Sequence, residues 1–345
     1  MYSGLTTRVS TLILLPRYEM TKGTMNNKLT ISYSDDYLGW QLGAGDGSHP
    51  TNPVRAQIAV DHLLNEIDSD HVEVIEPTIL DGDREKLESI HSAQYVSEVV
   101  DDGISGEWYG EEPKPELGKI AFQMFTGTVR LVEKIIAGET KVGFNPQGAK
   151  HHAQQNWSEG FCVFNDHAWA AKEFKKQGLK PLYIDWDVNA GDGVQNLLAD
   201  TDIPTFSIHG HGIYPTHSDT WLREMAGVGN YEYSNPDQHW YNYCLQQGEG
   251  DEAFKWAIDK IAEKVAEYQP DVILLATGAD GHEGEHWGIK YTYDGYHYAA
   301  KKVAELAKKY ADGRVLIGGA GGYQPYTHTP RVWANVVKDI YENAN

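Results

Sequence analysis

Short apolar runs alternate with longer amphipathic stretches from Leu29 almost to the C-terminus, and this alternation limits the fold more than any other feature of the chain. The runs Leu29–Ser32, Val72–Ile75, Lys141–Phe144, Leu182–Asp185, Pro204–Ile208, Val272–Ala276 and Val315–Ile317 are short, apolar and rich in β-branched residues, as buried strands are. Between them, Val54–Ile67, Ile120–Ile136, Ala168–Gln177, Glu252–Tyr268 and Tyr296–Tyr310 carry helical spacing. In Glu252–Tyr268, for instance, Phe254, Ile258, Ile261 and Val265 form one apolar face. Strands alternating with helices predict an α/β fold, with a mostly parallel central sheet covered by helices on both faces. No repeat, low-complexity block or Pro/Gly-rich linker divides the chain, so a single domain over residues 25–345 is expected. Residues 1–24 show no folding pattern and read as a weakly ordered or non-native extension, with Met25 as the expected start.

In sheets of this kind, ligands bind beyond the carboxyl ends of the strands. Polar residues collect after four of the predicted strands, at Asn145–Asp166, Asp185–Asp192, Thr277–His286 and Gly318–Tyr326, with long loops expected there. The first cluster contains the tandem His151-His152; in an irregular loop both imidazoles can enter one cleft, one as base for a water and one as acid for a leaving amine. The second reads Asp185-Trp-Asp187-Val-Asn189-Ala-Gly-Asp192. Carboxylates this close raise one another's pKa, so a cation or imidazole partners are expected beside them. Asp192 also reads as a helix N-cap. The third cluster adds Asp280, and in the fourth a glycine turn presents the phenol of Tyr323.

The chain has 345 residues and 41% hydrophobic content, enough for a large core, and its net charge is −21. Such a field excludes nucleic acid and anionic membranes as natural partners and attracts cationic ones, such as lysine-rich peptides or polyamines. Cys162 and Cys244 are the only cysteines and form no CxxC pattern, which fits a reducing cytoplasm. The longest N-terminal apolar run, Leu12 to Leu15, is too short for a signal-peptide core or a membrane span. Nothing in the sequence sets an oligomeric state.

Taken in order, the four clusters resemble the histone deacetylase family, which has the arginase/deacetylase fold, and most closely its microbial acetoin-utilisation deacetylase branch. The resemblance runs from about His49 to Trp333; Trp186 and Gly193-Val-Gln-Asn are similar to class II deacetylases and acetylpolyamine amidohydrolases. It implies that His151 and His152 are the acid–base pair and that Asp185 and Asp192 orient them. It further implies Asp187 and Asp280 as two of three zinc ligands, and Tyr323 as hydrogen-bond donor to the oxyanion. Gly160, Phe161 and Tyr214 would line the acyl-lysine channel, and Arg55 would lie near an internal acetate cavity. Asp185, Asp187 and Ser207 would hold a structural K⁺ or Na⁺.

The third zinc ligand of the family is a histidine two residues after the first aspartate; here that position is Asn189, followed by Ala190. Asp187, Asn189 and Asp280 offer oxygen donors only, which suit harder ions, so Zn²⁺, Mn²⁺, Fe²⁺ and Mg²⁺ all remain open as the catalytic cofactor. Trp287 stands where relatives carry a smaller rim residue and is expected to narrow the entrance, while Lys150 is expected to add a cation at the mouth. The glycine turn before Tyr323 is one residue longer than in most relatives. The resulting expectation is a metal-dependent hydrolase that removes acetyl or other acyl groups from protein lysine or small amines. The alternative is a catalytically silent relative that binds acylated ligands in the same tunnel.

Overall fold

The computed structural model describes residues 28–43, 49–108, 112–215 and 231–345. The expected 1–24 extension and the Met25 start lie outside the described residues. The strands are β1 (Leu29–Ser32), β2 (Val72–Ile75), β3 (Val142–Asn145), β4 (Pro181–Asp185), β5 (Thr205–Gly210), β6 (Tyr231–Asn235), β7 (Trp240–Leu245), β8 (Val272–Ala276) and β9 (Val315–Gly318). They form one sheet in the order β2-β1-β3-β9-β8-β4-β5-β7-β6, parallel throughout except for the antiparallel β6–β7 pair at one edge. The fold is the expected mostly parallel α/β domain.

The central strands are buried on both faces, which is why they read as continuous apolar runs; every residue of Val272–Ala276 is buried. One face is covered by α1 (Val54–Glu66), α7 (Asp251–Tyr268), α8 (Tyr293–Tyr310) and α9 (His328–Ala344). Their apolar stripes meet Ile31, Phe144, Ile184, Ile273 and Ile317. The other face carries α3 (Ala93–Val100), α4 (Pro115–Ile136), α5 (Asp166–Lys176) and α6 (Asp192–Leu198), packed on Tyr183, Leu274 and Leu316. A short helix, α2 (Asp83–Glu88), precedes α3. No helix among the described residues is long and apolar enough to cross a membrane.

The four polar clusters follow β3, β4, β8 and β9, and these are the four contiguous strands β3-β9-β8-β4 at the middle of the sheet. Parallel pairing puts their carboxyl ends at one edge, so the register of the sheet alone gathers the clusters over a single spot.

Candidate active site

The loop after β3 is fixed before it reaches the histidines. Asp166, the first residue of α5, accepts the backbone N–H groups of Ala149 (3.1 Å) and Lys150 (2.9 Å) and the Thr128 hydroxyl (2.5 Å). On its far side the loop rests on α6, where Val194 N–H donates to the His151 carbonyl at 3.1 Å. A side chain at Gly193 would collide with the backbone of His151, His152 and Ala153, so only glycine permits this seating. Gly160 has φ +57°, and a Cβ there would strike the His152 ring. Phe161 follows with φ +63°, a costly conformation for a bulky residue, its N–H held by the Glu107 carboxylate at 2.5 Å.

The two imidazoles lie side by side, ring centroids 4.0 Å apart. His151 Nδ1 is 2.7 Å from Asp185 Oδ2, and His152 Nδ1 is 2.6 Å from Asp192 Oδ1. All four side chains are buried, so each carboxylate fixes a ring orientation and leaves Nε2 for the cleft. Burial alone would lower the pKa of His151, but Asp185 and Asp187 outweigh it and lift it to about 9. Asp185 is itself held by the Tyr183 hydroxyl at 2.7 Å, and Asp192 by the Gln154 amide at 3.1 Å. The expected N-cap role of Asp192 is not what the structure shows. Gly191 occupies the cap position, Asp192 is the first helical residue, and its carboxylate is taken by His152 and Gln154.

Asp187 and Asp280 meet across the ends of β4 and β8. Asp187 accepts the N–H of Asn189 (3.0 Å) and of Gly321 (2.7 Å), while Asp280 accepts that of Val188 (3.0 Å). Asp280 Oδ2 is buried without a partner, and a Cβ at Gly321 would run into Oδ2 of both carboxylates. Burial and the adjacent Asp187 push the Asp280 carboxyl well above the usual carboxylate range. Such a pair calls for a cation, and its donor chemistry fits one. Asn189 is buried beside them, its Nδ2 donating to the Tyr214 carbonyl at 2.7 Å. Among the described residues, no three His, Cys, Asp or Glu side chains converge on a metal position.

Tyr323 is half-buried, its ring 6.3 Å from Phe161 and 6.2 Å from Trp287. Burial, with Asp280 and Asp187 nearby, raises its phenol well above the ordinary value, so it stays protonated and can donate. Trp287 is 36% exposed and lies at the rim beside that phenol. The Tyr214 ring packs against His152 at 5.1 Å. Arg55 enters from the first turn of α1 beneath the Tyr323 ring, 5.8 Å from its centroid, and donates through Nη1 to the Gly322 carbonyl. Lys150 is partly buried and lines a cavity of about 20 Å³ together with Arg55, Phe161 and Cys162. Ser207 pairs with Asp185 across β4 and β5, its hydroxyl 2.8 Å from His209 Nδ1. Neither cysteine is in a disulfide, and both are buried.

Sequence reasoning passed over Tyr183, Gln154 and Glu285. Tyr183 lies two residues before Asp185 on a strand, hence on the same face, a signal that was available. Glu285 accepts the Tyr323 N–H at 2.8 Å and pairs with His328 Nε2 at 3.1 Å, and nothing in its sequence surroundings announces this.

The histone deacetylase domain family matches residues 49–340 of the chain. The acetoin utilization protein AcuC of Bacillus subtilis is 30% identical over 304 residues, covering 84% of this chain and 76% of that protein. Human histone deacetylase 1 is 30% identical over 321 residues, covering 88% of this chain and 62% of its own length. Among solved structures, the HDA15 HD domain superposes with a TM-score of 0.74 at 21% identity, covering 92% of this chain and 90% of that one, a likeness of fold.

Proposed function

The chain belongs to the histone deacetylase family, and from that premise we propose that it is a cation-dependent hydrolase of N-acyl amines, acting on acyl-lysine or a small acylated amine. The observation that carries this reading is the paired proton-transfer unit. Two buried imidazoles are each anchored through Nδ1 to a carboxylate, at 2.7 and 2.6 Å, beside a buried carboxylate pair in which Asp280 Oδ2 has no hydrogen-bond partner.

Asp187 and Asp280, with Asn189 contributing Oδ1, would hold a divalent ion, either zinc or a harder ion such as Mn²⁺, Fe²⁺ or Mg²⁺ suited to oxygen donors. Bound there, such an ion would supply a Lewis acid for the acyl carbonyl and for a water. His152, oriented by Asp192, takes the water's proton and delivers it to the departing amine. His151, anchored by Asp185, is the second member of the acid–base pair and faces the developing oxyanion. Tyr323 donates its phenolic hydrogen to the same oxygen. Phe161, Gly160 and Tyr214 shape the approach, Trp287 narrows it, and Asp185, Asp187 and Ser207 form the expected seat for a structural K⁺ or Na⁺.

The experiment is elemental analysis of the purified protein together with hydrolysis of acyl-lysine peptides, with and without each divalent ion. Release of free amine supports the reading; no hydrolysis under any ion discards it. Asn189 keeps a second reading in play, a non-hydrolysing module that binds acylated ligands, and peptide binding without turnover would establish that instead.

A further inference from the structure

The cavity behind the reacting position has an unusual charge. Arg55 and Lys150 line it together with His151, Gly321 and Tyr323 of the reacting centre. Arg55 is buried, uses Nη1 on the Gly322 carbonyl, and leaves Nε buried without any partner. Asp187, Asp280 and Glu285 act on Arg55 from a distance only, and among the described residues neither cation has an ion pair. In a chain of net charge −21, two cations without ion pairs lining one cavity stand out from the surrounding field.

Unpaired buried cations are costly, and the cost is relieved by an anion that fits between them. The planar fork of an arginine beside the point charge of a lysine matches a carboxylate. A plain acetyl group would turn only a methyl toward these donors. We propose that the Arg55–Lys150 pair selects acyl groups that carry their own carboxylate, short dicarboxylic half-amides such as malonyl or succinyl.

The assignment rests on the amide-hydrolase reading above. The cavity is partly open and small, about 20 Å³, which restricts the acyl group to a short chain. The reaction balances with water alone: the amide C–N bond breaks, a C–O bond forms to the water oxygen, and the water's proton passes to the amine. The products are the free amine and a dicarboxylate.

The test uses the full chain and lysine peptides bearing Nε-succinyl, Nε-malonyl or Nε-acetyl groups, with dissociation constants measured by calorimetry and hydrolysis followed with added divalent ions. The expected result is at least roughly tenfold tighter binding of a dicarboxylic acyl peptide than of the acetyl one, in line with a charge-assisted hydrogen bond. Lys150→Met should remove that preference and Lys150→Arg should keep it. Equal or tighter acetyl binding overturns the proposal. So does a Lys150→Met variant with unchanged preference, or free acetate binding as tightly as the succinyl peptide, which would assign the cavity to released product. The preference of the unaltered chain decides the matter if Lys150→Met does not fold. Preference without hydrolysis would remove the hydrolase reading and leave the carboxylate site standing, whereas acetyl hydrolysis without preference would do the reverse.

Discussion

Asn189 gives its Nδ2 to the Tyr214 carbonyl at 2.7 Å, so only Oδ1 is left to face Asp187 and Asp280. One neutral amide oxygen therefore stands where an imidazole would bind a transition metal more strongly. Asn189→His is expected to raise zinc affinity by roughly tenfold or more, on the scale by which even outer-shell changes act, and to raise the deacetylation rate. Competitive titration with a zinc indicator checks this; unchanged affinity would show that residue 189 does not reach the ion.

The proton-transfer unit predicts a different pattern. His152→Ala should lower kcat by about 100- to 10,000-fold, the usual worth of a positioned acid–base group. Asp192→Asn should fall in the same direction, because the Nδ1 anchor at 2.6 Å is weakened while the ring remains. Steady-state kinetics with a preserved circular-dichroism spectrum is the measurement, and full activity in His152→Ala would rule out the assignment.

Glu285 acts through Tyr323, whose backbone N–H it holds at 2.8 Å. Removing that buried acceptor in Glu285→Ala should loosen the glycine turn and lower kcat roughly tenfold with KM little changed. Glu285→Gln, which retains an acceptor oxygen, should recover most of the loss. Equal kcat for all three proteins would mean that other contacts hold the phenol.

Acid should destabilise the fold through His91 and His209. His91 Nδ1 lies 2.9 Å from the Gln154 carbonyl and Nε2 accepts the Asn165 N–H at 2.9 Å, so the ring must be neutral. Burial brings His91 down to about 4 and His209 to about 3, from 6.5 in an unfolded chain. The unfolded state therefore takes up protons first. Stability is intact above about pH 6.5 and falls as the pH drops toward 4, by up to about 1.4 kcal/mol per pH unit for each ring. Thermal melts between pH 6.5 and 5 should show a falling Tm, with a shallower slope in His91→Gln; identical slopes would contradict this account.

How much of this was legible in the sequence differs by element. The buried parallel strands were, because burial on both faces demands unbroken apolar runs such as Val272–Ala276. Tyr231–Asn235 and Trp240–Leu245 were not, since this edge strand and its neighbour mix tyrosine and asparagine and lack an unbroken aliphatic run. Asp83–Glu88, Ala93–Val100 and Asp192–Leu198 are too short for helical spacing to register. His328–Ala344 does carry Val332, Val336 and Ile340 at that spacing, but Pro330 reads as a breaker unless it is recognised as lying in the first turn. At the site, residues next to strand ends stood out because carboxylates there have no packing role. Glu285 did not, because its partner is a backbone N–H thirty-eight residues away.

The loop of His151 and His152 is seated on α6 by Val194 and Gly193, whereas Asp187 and Asp280 follow separate sheet strands. Both anchors of the histidine pair, Asp185 and Asp192, nevertheless lie on the one segment between β4 and α6 that also carries Asp187 and Asn189. The proton relay and the carboxylate pair therefore share a single length of backbone, and any displacement of that segment moves both together.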